Sequence, residues 1–251
     1  MTALVLEDVA KRFGGVTAAE DLSMTVPAGR ITGLIGPNGA GKTTVVNLIT
    51  GMLAVTSGTI RLGSRDLTRA AADEVARAGI ARTFQNIRLL AEASVIDNVL
   101  IGFHRHETSS FAASLLGLPV ARRETRTLRA RAMELLERFE MASFADLPAG
   151  GLSYGHQRRV EMMRALATQP TMLLLDEPVA GMNDVEAGSL GVIFTELARS
   201  GIGVLLIEHN MRFVTSICEH VYVLDGGRLI AEGAPDAVVA DPAVIAAYLG
   251  T

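Results

Sequence analysis

Eight consecutive residues, Gly36-Pro37-Asn38-Gly39-Ala40-Gly41-Lys42-Thr43, fit the pattern G-x-x-x-x-G-K-[ST]. Glycines let the backbone curl so that successive N–H groups point inward at phosphate oxygens. A helix starting behind the loop adds its positive end. In such a loop Lys42 reaches the β- and γ-phosphates of a nucleoside triphosphate, and the Thr43 hydroxyl can ligate Mg²⁺. A second chemical group stands far along the chain, where Met172-Leu173-Leu174-Leu175-Asp176-Glu177 places two acids after an apolar run. The carboxyl end of a buried strand is the edge where α/β sheets bind ligands. There Asp176 can hold the magnesium, directly or through water. Glu177 projects differently and can polarise the water that attacks the γ-phosphate. Acids that end a strand are, alone, just as often caps for the next helix. Coupled to the phosphate loop, they point to phosphoryl transfer.

Both groups need a buried parallel sheet behind them. Ile31–Ile35 reads as the strand before the loop and Thr44–Ile49 as the helix after it. Met172–Leu175 and Val204–Ile207 are apolar on both faces, as central parallel strands covered by helices must be. Alternation over Leu4–Val9 and Leu22–Val26, around the turn residues Phe13-Gly14-Gly15, predicts an antiparallel sheet with one solvated face, and Thr59–Leu62 adds a further β stretch. Val221–Leu224, Asp225-Gly226-Gly227 and Arg228–Ala231 predict a hairpin. Glu124 to Glu140 carries Leu128, Ala132, Leu135, Leu136 and Phe139 on one helical face. The fold class is therefore α/β, as one integrated domain over 1–251. Its core is expected at about 1–86 and 165–251, with an inserted helical subdomain at about 87–164.

With 251 residues, 49% hydrophobic and 20% charged, the chain can bury a sizeable core, which excludes wholesale disorder. Lys and Arg number 23 against 27 Asp and Glu, a net charge of −4, so no nucleic-acid partner is expected. The single cysteine, Cys218, precludes an internal disulfide framework and fits a reducing compartment. No apolar run approaches the ~18 residues a membrane span needs. The start, Met1-Thr-Ala-Leu-Val-Leu-Glu-Asp, has no basic segment leading into an apolar stretch, so a chain without a signal peptide is expected. Arg122, Arg126 and Arg129 share a helix face opposite the apolar stripe and read as solvated. His104-x-His106 has no acid or cysteine at ligand spacing to make a metal site.

Leu152-Ser153-Tyr154-Gly155-His156-Gln157, just upstream of the Asp176-Glu177 strand, resembles the signature sequence of ATP-binding-cassette (ABC) ATPases. Other marks of that family follow in order. Phe13 is similar to the adenine-stacking aromatic, Gln85 in Arg82-Thr83-Phe84-Gln85-Asn86 to the glutamine loop, and His209 in Ile207-Glu208-His209-Asn210 to the switch histidine. Ala180-Gly181-Met182-Asn183 is similar to the segment after the catalytic acid. The resemblance implies a P-loop NTPase (RecA-like) core with an N-terminal antiparallel β subdomain and an inserted α-helical signature subdomain, and ATP and Mg²⁺ as cofactors. It implies that Glu177, His209, Gln85 and Lys42 are catalytic and that Thr43, Gln85 and Asp176 hold Mg²⁺. Nucleotide binding falls to Phe13, Gly36, Pro37, Asn38, Gly39, Ala40, Gly41, Lys42, Thr43 and Thr44. Ser153 and Gly155 are implied to bind the γ-phosphate of a nucleotide held by the other subunit of a head-to-tail dimer. Ser153 also reads as the N-cap of a helix over Gly155–Ala167, an anion-attracting start. Two departures from the family pattern are His156, where glutamine is common, and Asn183, where aspartate is common.

Ala81 to Leu89, the Tyr154-bearing signature, Ala180 to Asn183 and the ending Ala247-Tyr248-Leu249-Gly250 resemble the longer ATPase subunit of branched-chain amino acid importers. That implies a peripheral subunit at the cytoplasmic face of the inner membrane, working as a homodimer or with a paired paralogue. The insert around 104–123 fits this subunit, and apolar Phe111–Val120, interrupted by Gly117 and Pro119 and too short to span a membrane, reads as packed or partner-facing. Integral-membrane permease subunits are expected to dock near Ile87–Phe103, where Leu89, Leu90, Val95 and Ile96 would be exposed. Relatives serving urea or short amides share much of the pattern. A soluble ABC ATPase serving a cytoplasmic assembly scaffold is a further reading.

Overall fold

The computed structural model describes residues 2–83, 87–106 and 118–249. Its strands run β1 (Ala3–Phe13), β2 (Val16–Pro27), β3 (Ile31–Ile35), β4 (Ser57–Leu62), β5 (Arg65–Asp66), β6 (Ile80–Arg82), β7 (Met172–Asp176), β8 (Gly203–Ile207), β9 (His220–Asp225) and β10 (Arg228–Gly233). Interleaved with them are helices α1 (Lys42–Ile49), α2 (Ala72–Ala78), α3 (Val95–Phe103), α4 (Pro119–Arg138), α5 (Tyr154–Ala167), α6 (Asp184–Arg199), α7 (Met211–Ile217), α8 (Pro235–Val239) and α9 (Pro242–Leu249). Two compact units emerge, Met1–Arg82 with Thr171–Thr251, and Thr83–Pro170. No helix among the described residues is long and apolar enough to cross a membrane.

The first unit carries two sheets. One has the order β2-β1-β4-β5 and is antiparallel; the other has the order β10-β9-β3-β8-β7-β6. In the latter, β9, β3, β8, β7 and β6 are mutually parallel, and β10 pairs antiparallel at the edge. Every residue of β3, β7 and β8 is buried, which is why these segments read as unbroken apolar runs. The N-terminal strands are longer than their alternation predicts: β1 reaches Phe13 through register shifts between Leu6 and Arg12. The bulges break the alternation of side chains before the strand itself ends. Leu4, Leu6 and Leu22 of the antiparallel sheet pack with Val45, Leu48 and Ile49 of α1 and Leu174 of β7 in one core. The hairpin β9–β10 closes through Gly226-Gly227, with Asp225 opposite Arg228.

The second unit is helical. The amphipathic helix expected from Glu124 begins earlier, at Pro119, and ends at Arg138. Proline is well suited to the first turn, where its missing N–H costs no intrahelical bond. Ala121, Leu128, Ala132 and Leu136 form its buried face. α3 packs against α5 so closely that a Cβ on Gly102 would lie 2.2 Å from the Arg164 carbonyl oxygen. Only glycine lets the two backbones meet there.

This packing corrects one expectation. Val95 and Ile96 are wholly buried rather than exposed. The Ser94 hydroxyl caps α3 by accepting the Asp97 N–H at 3.2 Å, and Val95, Ile96, Val99 and Phe103 of that helix all face inward. Of the expected docking residues, Leu90 is exposed and Leu89 half-buried, and Ile101 joins them at the surface. Buried Asn98 fixes the Leu90 segment, accepting the Leu90 N–H at 2.9 Å and donating to the Leu90 carbonyl at 3.0 Å. Most of Phe111–Val120 lies outside the described residues.

Candidate active site

The glycine-rich loop joins β3 to α1. Gly36 has φ +150°, and a Cβ there would fall 2.0 Å from the Leu224 carbonyl oxygen, so no other residue fits. Gly41 caps α1 in the left-handed region with no side-chain cap and no acid in the first turn. The N–H groups at that helix start therefore suit a phosphate. Lys42 folds back over the loop, its Nζ donating to the carbonyls of Gly36 at 2.7 Å and Pro37 at 3.0 Å. Burial pushes the Lys42 ammonium below the usual lysine range, while the nearby carboxylates of Glu177 and Asp176 oppose that shift. The three charged residues thus sit in one electrostatic neighbourhood. Thr43, beside Lys42, is exposed. The C-terminal helix also reaches the loop: burial raises the Tyr248 phenol, and a hydrogen bond with the Gly36 backbone works against that rise.

Asp176 ends β7 and is buried. Its Oδ2 accepts from Arg82 Nη2 at 2.9 Å, and Arg82 Nη1 donates to Asn47 Oδ1 at 2.6 Å. The acid is thereby tied to the end of β6 and, through Asn47, to α1. Glu177 follows with φ +48°, a left-handed backbone that costs a non-glycine residue energy. Its N–H continues the ladder by donating to the Ile207 carbonyl at 2.9 Å. The backbone turn therefore sends Asp176 and Glu177 in different directions.

His209, just beyond β8, presents Nδ1 3.8 Å from Glu177 Oε1 and 3.8 Å from Glu208 Oε2, outside direct hydrogen-bond reach of either. Glu208 is buried and accepts three backbone N–H groups, from Val179 at 3.2 Å, His209 at 3.0 Å and Asn210 at 3.3 Å. It staples the turn after β8 to the turn after Glu177. Phe13, at the end of β1, is exposed, with Lys11 Nζ 4.9 Å from its ring centroid. Asn183 N-caps α6, accepting the N–H groups of Val185 and Glu186 at 3.0 Å, and Glu186 accepts the Asn183 N–H in return at 3.1 Å. An amide caps as well as a carboxylate, so the departure from aspartate leaves the helix start intact.

In the second unit Ser153 caps α5, its hydroxyl accepting the His156 N–H at 3.4 Å. Gln157 Nε2 braces the preceding turn through the carbonyls of Gly150 and Leu152 at 3.2 and 3.1 Å. The His156 ring lies 4.6 Å from that of Phe144. Tyr154 is exposed and Gly155 half-buried.

Lys42, Asp176, Glu177 and His209 thus gather at one edge of the parallel sheet. Gln85 lies outside the described residues. Three further residues, Arg82, Asn47 and Glu208, hold the acids and the loops, and the motifs assign them no role. The one signal available was a charged residue at each strand end: Arg82 closes β6, and Glu208 follows β8.

The ABC transporter family pattern matches residues 19–180, and the pattern of the branched-chain amino acid ATP-binding cassette transporter matches residues 228–251. The chain is 40% identical to the high-affinity branched-chain amino acid transport ATP-binding protein BraF of Pseudomonas aeruginosa, over 98% of this chain and 97% of that protein. It is 36% identical to the lipopolysaccharide export system ATP-binding protein LptB of Escherichia coli K12, over 100% and 98%. Among solved structures, the ADP conformation of MJ1267, an ATP-binding cassette of an ABC transporter, superposes with a TM-score of 0.87 at 36% identity, covering 100% of both chains.

Proposed function

Since the chain belongs to the ABC transporter family of ATP-binding proteins, we propose that it hydrolyses ATP to power import of branched-chain or other hydrophobic amino acids. The observation that carries the hydrolytic part is the convergence of Glu177 and His209, 3.8 Å apart, on the sheet edge that also holds Lys42 and Asp176. The phosphate loop binds the triphosphate, and Lys42 leaves the loop carbonyls for the β- and γ-phosphates. Phe13 offers its ring face to the adenine, which gives stacking without base selectivity. Glu177 accepts a hydrogen bond from the attacking water, held in place by its pinned backbone. His209 donates to the γ-phosphate from the neighbouring strand end.

The residues present suit Mg²⁺, which takes hard oxygen ligands and keeps phosphate and water in its shell. The Thr43 hydroxyl and the buried Asp176 carboxylate would supply such oxygens, and Gln85 is assigned as a further ligand on its motif alone. The ion, when bound, offsets the charge of the β- and γ-phosphate oxygens.

The working form is a head-to-tail dimer, with a second copy or a paired paralogue, in which Ser153 and Gly155 of one subunit meet the nucleotide of the other. The dimer sits peripherally at the cytoplasmic face of the inner membrane, with permease subunits docked near Leu90 and Ile101. The match of residues 228–251 to the branched-chain family, with the likeness to BraF, supports the choice of solute. The likeness to LptB makes outward lipopolysaccharide transport the competing reading.

Affinity purification of the tagged chain from membranes, followed by reconstitution, tests this. Two integral-membrane partners and ATP-dependent leucine uptake are expected. Recovery of soluble partners alone, or ATP-driven movement of urea or lipopolysaccharide without leucine, overturns the solute assignment.

A further inference from the structure

Arg82 is the last residue of β6, and its side chain is enclosed as fully as that of the acid it meets, with side-chain exposures of 9% for Arg82 and 10% for Asp176. Two of its nitrogens are committed in different directions, Nη2 to Asp176 at 2.9 Å and Nη1 to Asn47 at 2.6 Å. Asn47 belongs to α1, the helix that begins at Lys42. The guanidinium therefore spans from the magnesium acid to the helix behind the phosphate loop. β6 does not need this link to stay on the sheet, because its backbone pairs in register with Met172, Leu173 and Leu174.

A full positive charge at hydrogen-bond distance from Asp176 has two effects. It fixes the carboxylate in one orientation through a rigid, planar fork. It also opposes the arrival of a divalent cation at the same carboxylate, since like charges a few ångströms apart repel strongly in an enclosed site. Mg²⁺ gains Asp176 only by sharing it with Arg82 or by displacing the guanidinium toward Asn47.

We propose that Arg82 is a positioning residue of the hydrolytic site, the resident counter-cation of Asp176, which sets how much Mg²⁺ nucleotide binding requires. The inference rests on the reading of Asp176 as a magnesium ligand. In its place at the end of β6, Arg82 supplies a counter-charge to Asp176 and makes Mg²⁺ binding an exchange of one cation for another.

The test measures binding of a fluorescent ATP analogue to the full chain while Mg²⁺ is titrated. Arg82→Gln is expected to lower the half-saturating Mg²⁺ concentration about tenfold, the effect of removing one charge beside a divalent ion in a screened site. Arg82→Lys keeps the charge and is expected to keep the parent midpoint. A purely structural arginine predicts the opposite pattern, weaker binding at every Mg²⁺ concentration with an unmoved midpoint, and that result overturns the proposal. A second measurement needs no charge-deleting variant. The Arg82 side-chain NMR resonance, assigned by its loss in Arg82→Lys, should shift when Mg²⁺ is added to the ADP complex; a static resonance overturns the proposal. Asp176→Asn separates the two levels of argument. It should raise the Mg²⁺ midpoint steeply, and an unchanged midpoint removes Asp176 from the magnesium site and the Arg82 proposal with it.

Discussion

Glu177 Oε1 and His209 Nδ1 stand 3.8 Å apart across the ends of two adjacent parallel strands, β7 and β8. Neither residue reaches the other without an intermediary, so the pair forms a gap bounded by an acceptor and a potential donor. The Glu177 backbone, at φ +48° and bonded to Ile207, holds one side of that gap fixed.

Glu177→Gln should therefore leave ATP affinity intact, nearly abolish turnover and promote dimerisation. The amide keeps the shape but is a far poorer acceptor for the attacking water. Steady-state hydrolysis, equilibrium nucleotide binding and size-exclusion chromatography with ATP check this. Undiminished turnover would remove Glu177 from its role.

Lys42→Ala should weaken nucleotide binding itself. On the proposed function the variant loses the cation that would bridge the phosphates, and charge-assisted bonds of this kind contribute about 1.5–3 kcal/mol each. Calorimetric titration with ATP should show an affinity loss of tenfold or more by the same estimate. Parent affinity in this variant would exclude the loop assignment.

Glu208→Ala should destabilise the first unit by about 2 kcal/mol, because one buried and two part-buried backbone N–H groups lose their acceptor. Glu208→Gln retains an acceptor and should lose less. Thermal melting ranks the three proteins, and equal melting points would show that the staple carries no weight.

Gly102→Ala forces α3 and α5 apart, since the new methyl meets the Arg164 carbonyl. A cost of about 1–3 kcal/mol is expected for such overpacking. A denaturant melt in which the variant matches the parent would contradict the close helix approach.

Burial pushes the Cys218 thiol up from 9.0 to about 12. The unfolded chain deprotonates first, so stability from this group is whole below pH 9 and falls as pH rises from there toward 12. Alkylation of the native protein at neutral pH should be slow and should accelerate on unfolding. Rapid native alkylation would place the thiol in solvent.

The parallel strands β3, β7 and β8 were legible because burial on both faces writes a continuous apolar run. Lys42 and Thr43 were legible because their motif is local in sequence. Arg82 and Asp176 are 94 positions apart, and an ion pair at such separation leaves no local pattern. Glu208 was visible only as an acid beside a histidine, since its partners are backbone groups that every residue carries. Val95 and Ile96 misled for a different reason. Their place after Gln85 suggested an open docking face, but the packing of α3 against α5 buries them, a contact between segments some sixty positions apart that no local pattern shows.

The ammonium of Lys42 rests on two carbonyl oxygens of its own loop. A ligand must outbid both before that cation turns outward. Neutral nucleosides bring no such inducement, whereas a polyphosphate tail does. On the proposed reading of this loop, the contact would favour ligands that carry a polyphosphate tail over uncharged ones.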